Sequence, residues 1–173
     1  MAYIKISSVT LNSSQSYIEF ASIPATYTDL LFKLSIRSNR TDDDEDEVLV
    51  TVDTVNGTSG RRLMHTDNNA APVVSYDTGA TAGSLLYAPS VGPSNTNLSN
   101  FFSCNVYFYD YRNTSIKKSM SYESMAGRTS NHLTLAGIVH GTTSAISTVR
   151  FAPRYGTEYV QYSTVDLYGI KNS

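Results

Sequence analysis

The stretch that decides the predicted fold is Tyr159-Val160-Gln161-Tyr162-Ser163-Thr164-Val165-Asp166-Leu167-Tyr168-Gly169-Ile170. Its residues alternate in polarity, which suits a strand whose successive side chains point to opposite faces of a sheet. Only Lys171-Asn172-Ser173 follow it in the chain. We therefore predict a closing strand over residues 159–170, paired with an N-terminal strand over residues 3–11.

The same alternation recurs along the chain and predicts the fold class. Leu30, Phe32, Leu34 and Ile36 share one face of a strand predicted over residues 29–38, and valines repeat the pattern from residue 48 to 52. Helical periodicity is nearly absent, and turn clusters separate the alternating runs. This predicts an all-β protein, an antiparallel β-sandwich of jelly-roll type with about nine or ten strands. The strand order stays open.

The predicted domain organisation is a single β-sandwich domain over residues 1–173. Long loops are predicted at residues 39–47 and 56–100, the second with short strands near 61–64 and 84–88. Further strands are predicted over residues 100–111, 117–126, 131–140 and 145–152. In the strand 131–140, Leu133, Leu135 and Val139 lie on one face and form its apolar side.

Composition excludes several classes of protein. Of the 173 residues 40% are hydrophobic and only 16% charged, and 13 are tyrosine, which suits uncharged outer faces and interfaces. The net charge of −2 argues against nucleic acid or an anionic membrane as a partner. No apolar run is long enough to span a membrane. The start, Met1-Ala2-Tyr3-Ile4-Lys5, resembles a strand instead of a secretory signal. The single cysteine, Cys104, allows no internal disulfide and is expected to be a buried thiol.

No catalytic signature occurs in the sequence. There is no nucleophile elbow, phosphate loop or dinucleotide fingerprint. His132 and His140 lie eight positions apart on one predicted strand, roughly 26 Å at the rise of a strand, so they do not share a metal. Three glutamates stand on or near strands, Glu19, Glu123 and Glu158, and each is interpreted as an outward-facing strand residue. We predict no enzyme, no catalytic or cofactor-binding residue, no metal ligand and no cofactor.

The acidic run Asp42-Asp43-Asp44-Glu45-Asp46-Glu47 admits more than one interpretation. Its carboxylates suit Ca²⁺, but the spacing of an EF-hand loop is missing. A solvated loop or a partner for salt bridges between subunits is the simpler interpretation. The basic pairs Arg61-Arg62 and Lys117-Lys118 would complement it on a neighbouring copy. Trimming residues 42–46 is accordingly expected to leave the fold intact.

Three tyrosines, Tyr107, Tyr109 and Tyr111, are predicted to share one strand face. Aromatic rings in a row form a platform on which sugar rings stack. We prefer the alternative interpretation, in which the three side chains pack against a second sheet or against another protomer.

Two segments carry a resemblance to a known group of proteins. They are Ile18-Glu19-Phe20-Ala21-Ser22-Ile23-Pro24-Ala25-Thr26-Tyr27-Thr28-Asp29-Leu30 and the closing Val165-Asp166-Leu167-Tyr168-Gly169-Ile170. Together with Ile6-Ser7-Ser8-Val9-Thr10-Leu11 and Val149-Arg150-Phe151-Ala152-Pro153, they resemble a module of tailed-bacteriophage virion proteins. The resemblance spans both ends of the chain, whereas residues 56–100 match nothing in it.

The resemblance implies a jelly-roll or lectin-like sandwich, in a virion structural protein made in the host cytoplasm. The first hypothesis is a capsid decoration (cement) protein, a homotrimer that clamps major capsid protein or other virion proteins. The alternative is a tail-fibre or adsorption-appendage module that binds host surface glycans. A depolymerase is the weakest hypothesis, because no acid pair stands out. Head or tail location, copy number and host stay open.

Overall fold

Alternating side chains form strands throughout the part of the chain that the computed structural model describes, residues 2–42, 45–53, 55–56, 59–66, 73–78, 84–89, 101–127 and 131–172. These residues contain thirteen strands and no helix. In chain order the strands are β1 (Ala2–Thr10), β2 (Ile18–Phe20), β3 (Asp29–Ile36), β4 (Glu45–Val52), β5 (Val55–Asn56), β6 (Ser59–Thr66), β7 (Val73–Thr78), β8 (Ser84–Pro89), β9 (Phe102–Tyr109), β10 (Lys118–Gly127), β11 (Asn131–His140), β12 (Val149–Pro153) and β13 (Thr164–Lys171).

The strands form two sheets with the order of a jelly roll. The first sheet runs β1-β13-β3-β9-β10-β11-β6-β7, and the second runs β2-β12-β4-β5, with β8 also paired to β4. Eight strands form two matched halves, β1-β13-β3-β9 and β2-β12-β4-β8. Along the chain these eight strands alternate between the two halves, except that β4 and β8, which follow each other in the set, both belong to the second half. The described pairings between named strands are antiparallel. The predicted all-β, antiparallel sandwich of jelly-roll type is confirmed.

Two insertions widen the first sheet beyond this eight-stranded core. One lies between β4 and β8 and contributes β5, β6 and β7; the other is the β10–β11 hairpin between β9 and β12. Four of these inserted strands continue the first sheet beyond β9. This is why the described residues contain more strands than the nine or ten expected. Among the described strands the first sheet therefore has eight and the second has five.

The core lies between the two sheets and follows the predicted alternation. The even-numbered apolar residues of β3 from Leu30 to Ile36 are buried, as are Val48, Val50 and Val52 of β4. Phe32 lies at the centre, with edge-to-face ring contacts at centroid distances of 5.2 to 5.7 Å. Its ring partners come from β2, β9 and β12, namely Phe20, Phe108 and Phe151. The core is therefore joined across both sheets through one aromatic ring.

The two terminal strands pair as predicted. β1 lies antiparallel to β13, with Ala2 opposite Lys171 and Thr10 opposite Thr164. The closing strand is shorter than the predicted 159–170, because Tyr162 takes a left-handed backbone conformation with φ of 71°. Before that reversal, Tyr159 forms isolated bridges to Gln15 and Ser38.

Strands occupy parts of both stretches that we predicted as long loops. β4 begins at Glu45, inside the predicted loop 39–47, and three strands, β6, β7 and β8, lie within 56–100. The strand predicted near 61–64 belongs to β6, and the one predicted near 84–88 is β8. β6 pairs with β11, and β8 pairs with β4. β7 was not predicted; it pairs with β6, and strand formation depends strongly on such tertiary context.

The predicted apolar face of residues 131–140 is wrong at Leu135 and Val139, and the side chain of Leu133 lies outside the described residues. Leu135 and Val139 are 45% and 44% exposed, whereas Ile138, Thr134 and His140 on the opposite face are buried. The strand itself has the predicted bounds. Polarity alone pointed to the wrong face, because burial here is decided by which side the second sheet and its loops cover.

The sequence motif formed by the two segments quoted for the resemblance, Ile18 to Leu30 and Val165 to Ile170, comes together in the structure. Tyr27, in the β2–β3 connection, packs its ring directly on Gly169 of β13, so closely that a Cβ at this glycine would overlap the ring. The Thr28 N–H donates to the Ile170 carbonyl at 2.8 Å. Asp29 then accepts the Asp110 N–H at 2.8 Å. The motif therefore fastens the β2–β3 connection to the end of β13, which is a role in the scaffold.

Gly169→Ala is expected to destabilise the protein by about 2 kcal/mol, because the added methyl group overpacks against Tyr27. The matched control is Gly137→Ala on β11, where the added Cβ meets only the Met120 carbonyl oxygen, at 4.0 Å. The measurement is urea unfolding of both variants, and the cost at Gly169 should shrink in a Tyr27→Ala background. Equal costs at the two glycines would contradict the proposed contact.

Candidate functional site

The histidine and glutamate side chains of the described residues do not form a cluster of metal ligands. Among those residues no group of three His, Cys, Asp or Glu side chains lies close enough to hold a metal ion. His140 is buried at the end of β11. Glu19 is ion-paired with Arg150 at 2.6 Å on the smaller sheet, and Glu123 accepts a hydrogen bond from Asn105 on the larger sheet. These two glutamates therefore support strand pairs on different sheets.

Cys104 is a buried thiol, as predicted. Its side chain lies in the core and is 2% exposed. Burial raises the pKa of the thiol well above its ordinary value, and the nearby charge of Glu123 acts in the same direction. The thiol therefore stays protonated at neutral pH and packs as a small apolar group.

The acidic run is not a uniform solvated loop. Asp46 is buried on β4, and its carboxylate accepts the backbone N–H groups of Glu47, Tyr155 and Gly156 at 2.7, 3.0 and 2.9 Å. Asp42, by contrast, is exposed and accepts from Arg40 at 2.7 Å. The Asp43 and Asp44 carboxylates that complete the proposed Ca²⁺ ligand set lie outside the described residues. Asp46 thus anchors the β12–β13 connection to β4.

Lys118 is not available as part of a basic surface pair. Its side chain is buried, and the ammonium group donates to the backbone carbonyls of Asn113 and Ile116. Burial lowers its pKa, and the charge of Asp110 opposes that effect. Lys118 therefore cannot take part in the predicted pairing of Lys117-Lys118 with an acidic loop of a neighbouring copy. Arg61 and Arg62 lie on β6, and their side chains are outside the described residues.

The most distinctive surface is a groove on the outer face of the eight-stranded sheet. We call it the tyrosine groove; it has a volume of about 290 Å³ and is lined by Tyr3, Leu31, Lys33, Asn105, Tyr107 and Tyr168. Four adjacent strands, β1, β13, β3 and β9, position these side chains. Tyr168, Leu31 and Tyr107 occupy one row across three strands. The groove thus has two tyrosine walls and an apolar floor.

Exposure separates the floor of the groove from its rim. Leu31 is only 2% exposed although it is on the outer face, whereas Tyr3 is 53% exposed. Lys33 and Asn105, opposite each other on β3 and β9, supply the polar groups beside the floor. The Lys33 ammonium lies 5.9 Å from the centre of the Tyr168 ring, within the range of a cation–π contact. Apolar and hydrogen-bonding surfaces therefore meet in one small depression.

Hydrogen bonds hold the side chains around the groove in place. Asn105 donates its amide N–H to Glu123 at 2.8 Å, and Lys5 pairs with Asp166 at 2.9 Å. Burial would raise the pKa of Asp166, but hydrogen bonds from Ser8 and Lys5 outweigh it and hold that pKa below the ordinary value. The same contact with Asp166 raises the pKa of Lys5. The carboxylates of Glu123 and Asp166 thus each accept hydrogen bonds from neighbouring side chains.

The tyrosine row of β9 extends beyond the groove. The rings of Tyr107 and Tyr109 are nearly parallel, with centroids 6.4 Å apart, and the Tyr109 hydroxyl is hydrogen-bonded to Ser121 at 2.7 Å. Burial raises the pKa of the Tyr107 hydroxyl, and Tyr3 and Glu123 act in the same direction. The Tyr107 hydroxyl therefore remains protonated, and able to donate a hydrogen bond, at neutral pH.

Tyr111 does not belong to this surface, contrary to the prediction of a shared face. It is fully buried, and its hydroxyl donates to the Pro24 carbonyl. β9 ends at Tyr109, and Asp110 takes a left-handed conformation with φ of 45°. That reversal ends the alternation and turns the next side chain inward.

Sequence reasoning missed five of the six groove residues, Tyr3, Leu31, Lys33, Asn105 and Tyr168. A signal for two of them was present, since Tyr3 and Tyr168 stand on the terminal strands that we expected to pair. Their meeting with Tyr107 depends on β3 lying between β13 and β9, and a single sequence does not reveal that order.

Two further observations complete the description of this chain. None of the described residues belongs to a helix long and apolar enough to cross a membrane. Comparison with models of known protein families, with curated proteins and with solved structures finds no match.

Proposed function

We propose that this chain is a non-enzymatic virion structural protein that decorates a capsid and clamps neighbouring capsid subunits. The observation that carries the proposal is the contact of Tyr27 with Gly169. It joins the two sequence segments that resemble phage virion modules, so these segments work as one structural unit. The jelly-roll strand order supports it further, because viral capsid and lectin domains use this architecture.

A clamp of this kind acts by burying surface on two or more subunits at once, so that several weak contacts add up to firm attachment. The broad outer face of the first sheet suits this role. Its exposed residues include Tyr109, Leu135 and Val139, each more than two-fifths exposed. Exposed tyrosine side chains of this type are favoured at protein interfaces.

The test is the copy number of this chain in purified virions of the phage that encodes it. Decoration of a symmetric capsid requires on the order of hundreds of copies, whereas a tail appendage requires about a dozen. Particles stripped of the protein by heat or EDTA should lose stability in a thermal-release assay. Stripped particles that remain as robust as intact ones would refute the clamp.

A second candidate is an adsorption module that binds glycans on the host surface. The tyrosine groove favours it, because an aromatic-walled depression with polar groups beside an apolar floor is suited to a small polyhydroxylated ligand. The copy number distinguishes the two candidates. Binding of the isolated protein to host cells, together with a low copy number, would favour the second.

A further inference from the structure

We propose that the tyrosine groove binds a single neutral pyranose unit, the ring of which stacks on the side chains of Tyr107 and Tyr168. The inference rests on the second candidate function, the binding of host glycans, and makes it more specific. It identifies which surface of the protein meets the sugar and which class of sugar is accepted.

The spacing of the strands supports a ligand the size of one ring. Tyr168, Leu31 and Tyr107 lie in register on β13, β3 and β9. Neighbouring strands are about 4.8 Å apart, so the backbones that carry the two tyrosines are separated by about 10 Å. The groove volume of about 290 Å³ is at the lower end for small-ligand sites. The groove therefore suits one sugar unit or the end of a chain.

The lining matches the two kinds of surface that a pyranose presents. The C–H faces of the ring are apolar and pack on the aromatic rings of Tyr107 and Tyr168. Its hydroxyl edge needs donors and acceptors, which Lys33, Asn105 and the protonated Tyr107 hydroxyl supply. The hydrogen bond from Asn105 to Glu123 orients the amide before any ligand arrives, which lowers the entropic cost of binding.

The charges around the groove favour a neutral sugar over an acidic one. Two lysines, Lys5 and Lys33, are balanced by two carboxylates, Asp166 and Glu123, on the same face. A balanced face exerts little long-range attraction on an anionic ligand. Among the described residues no carboxylate forms an ion pair with Lys33, so its ammonium can donate to sugar hydroxyls.

The experiment is saturation-transfer NMR and calorimetric titration of the full chain with methyl glycosides. The probes are the glycosides of glucose, galactose, mannose and N-acetylglucosamine, with glucuronate and galacturonate as acidic counterparts. We expect binding of at least one neutral glycoside. Tyr107→Ala and Tyr168→Ala should each weaken that binding at least tenfold. Tyr107→Phe should retain most of it, because the stacking ring remains.

Tyr155→Ala is the matched control, because Tyr155 is 54% exposed and lies outside the groove. Unfolding curves of every variant establish that a loss of binding is not a loss of fold. The proposal is overturned if no neutral glycoside binds, if the groove variants bind normally, or if the acidic glycosides bind more tightly. It is also overturned if the groove variants instead lose self-association or capsid attachment.

The copy number of the chain in purified virions allows this inference and the proposed functions to be tested separately. A low-copy appendage protein that binds host glycans with unchanged affinity when Tyr107 or Tyr168 is replaced would refute the inference and leave the second candidate standing. A capsid-bound protein that binds sugar through the groove would refute the second candidate as the protein's function and leave the site standing.

Discussion

Replacing Phe32 by alanine is expected to lower the free energy of unfolding by about 4 kcal/mol, the middle of the range for a buried phenylalanine. The ring is fully buried and contacts the rings of Phe20, Phe108 and Phe151. Removing it leaves a cavity between the sheets and deletes three edge-to-face contacts. Small domains are stable by only about 5–15 kcal/mol, so this loss is a large fraction of the total.

The measurement is urea unfolding followed by circular dichroism and tyrosine fluorescence. Phe101→Ala is the control, because it makes the same chemical change at a partly exposed ring that lies against Arg37. We expect Phe32→Leu to recover much of the lost stability, since most of the cavity is filled again. A loss at Phe32 no larger than the loss at Phe101 would show that the ring is not the centre of the core.

Asp46→Ala is expected to cost about 3 kcal/mol, because it removes one buried carboxylate that accepts hydrogen bonds from three partly buried backbone N–H groups. Two of the three donors, Tyr155 and Gly156, belong to the β12–β13 connection, far from Asp46 in sequence. The substitution should therefore release this connection from β4 as well as destabilise the fold. This expectation replaces the sequence-based one that residues 42–46 can be trimmed without harm.

Asp42→Ala is the matched control within the same acidic run. Its carboxylate is exposed and paired only with the nearby Arg40 among the described contacts, so its removal should leave the unfolding midpoint unchanged within error. Hydrogen exchange of the Tyr155 and Gly156 amides reports the local effect, and only the Asp46 variant should accelerate it. Equal unfolding midpoints and equal amide exchange rates in the two variants would support the solvated-loop interpretation instead.

Local pattern predicted the strands well where polarity and burial agree. β3 is the clearest example, because every second residue from Leu30 to Ile36 is apolar and is buried. β11 shows where the pattern fails. Its bounds were predicted correctly, but Leu135 and Val139 point outward, since the second sheet and its loops lie against the other face. Periodicity specifies that a strand has two faces, and packing selects which of them is buried.

The candidate site was predicted only in part. Tyr107 and Tyr109 were recognised from their spacing on one strand, and both lie on the outer face. Tyr111 was assigned to the same face, and the left-handed turn at Asp110 places it in the core instead. Asp is a residue type that tolerates the left-handed conformation, but the sequence alone does not show that Asp110 adopts it and so turns Tyr111 inward.

The sequence by itself determined that this protein is an antiparallel β-sandwich of jelly-roll type with its terminal strands paired. It did so because alternation is a local property, encoded residue by residue along each strand. Only the tertiary structure decided that Asp46 is a buried anchor and that four strands bring Tyr3, Leu31, Lys33, Asn105, Tyr107 and Tyr168 into one groove. Those features depend on strand order and on contacts between residues more than 100 positions apart, such as Asp46 and Gly156. Contacts of that range are set by the packing of the whole sandwich, which local alternation does not encode.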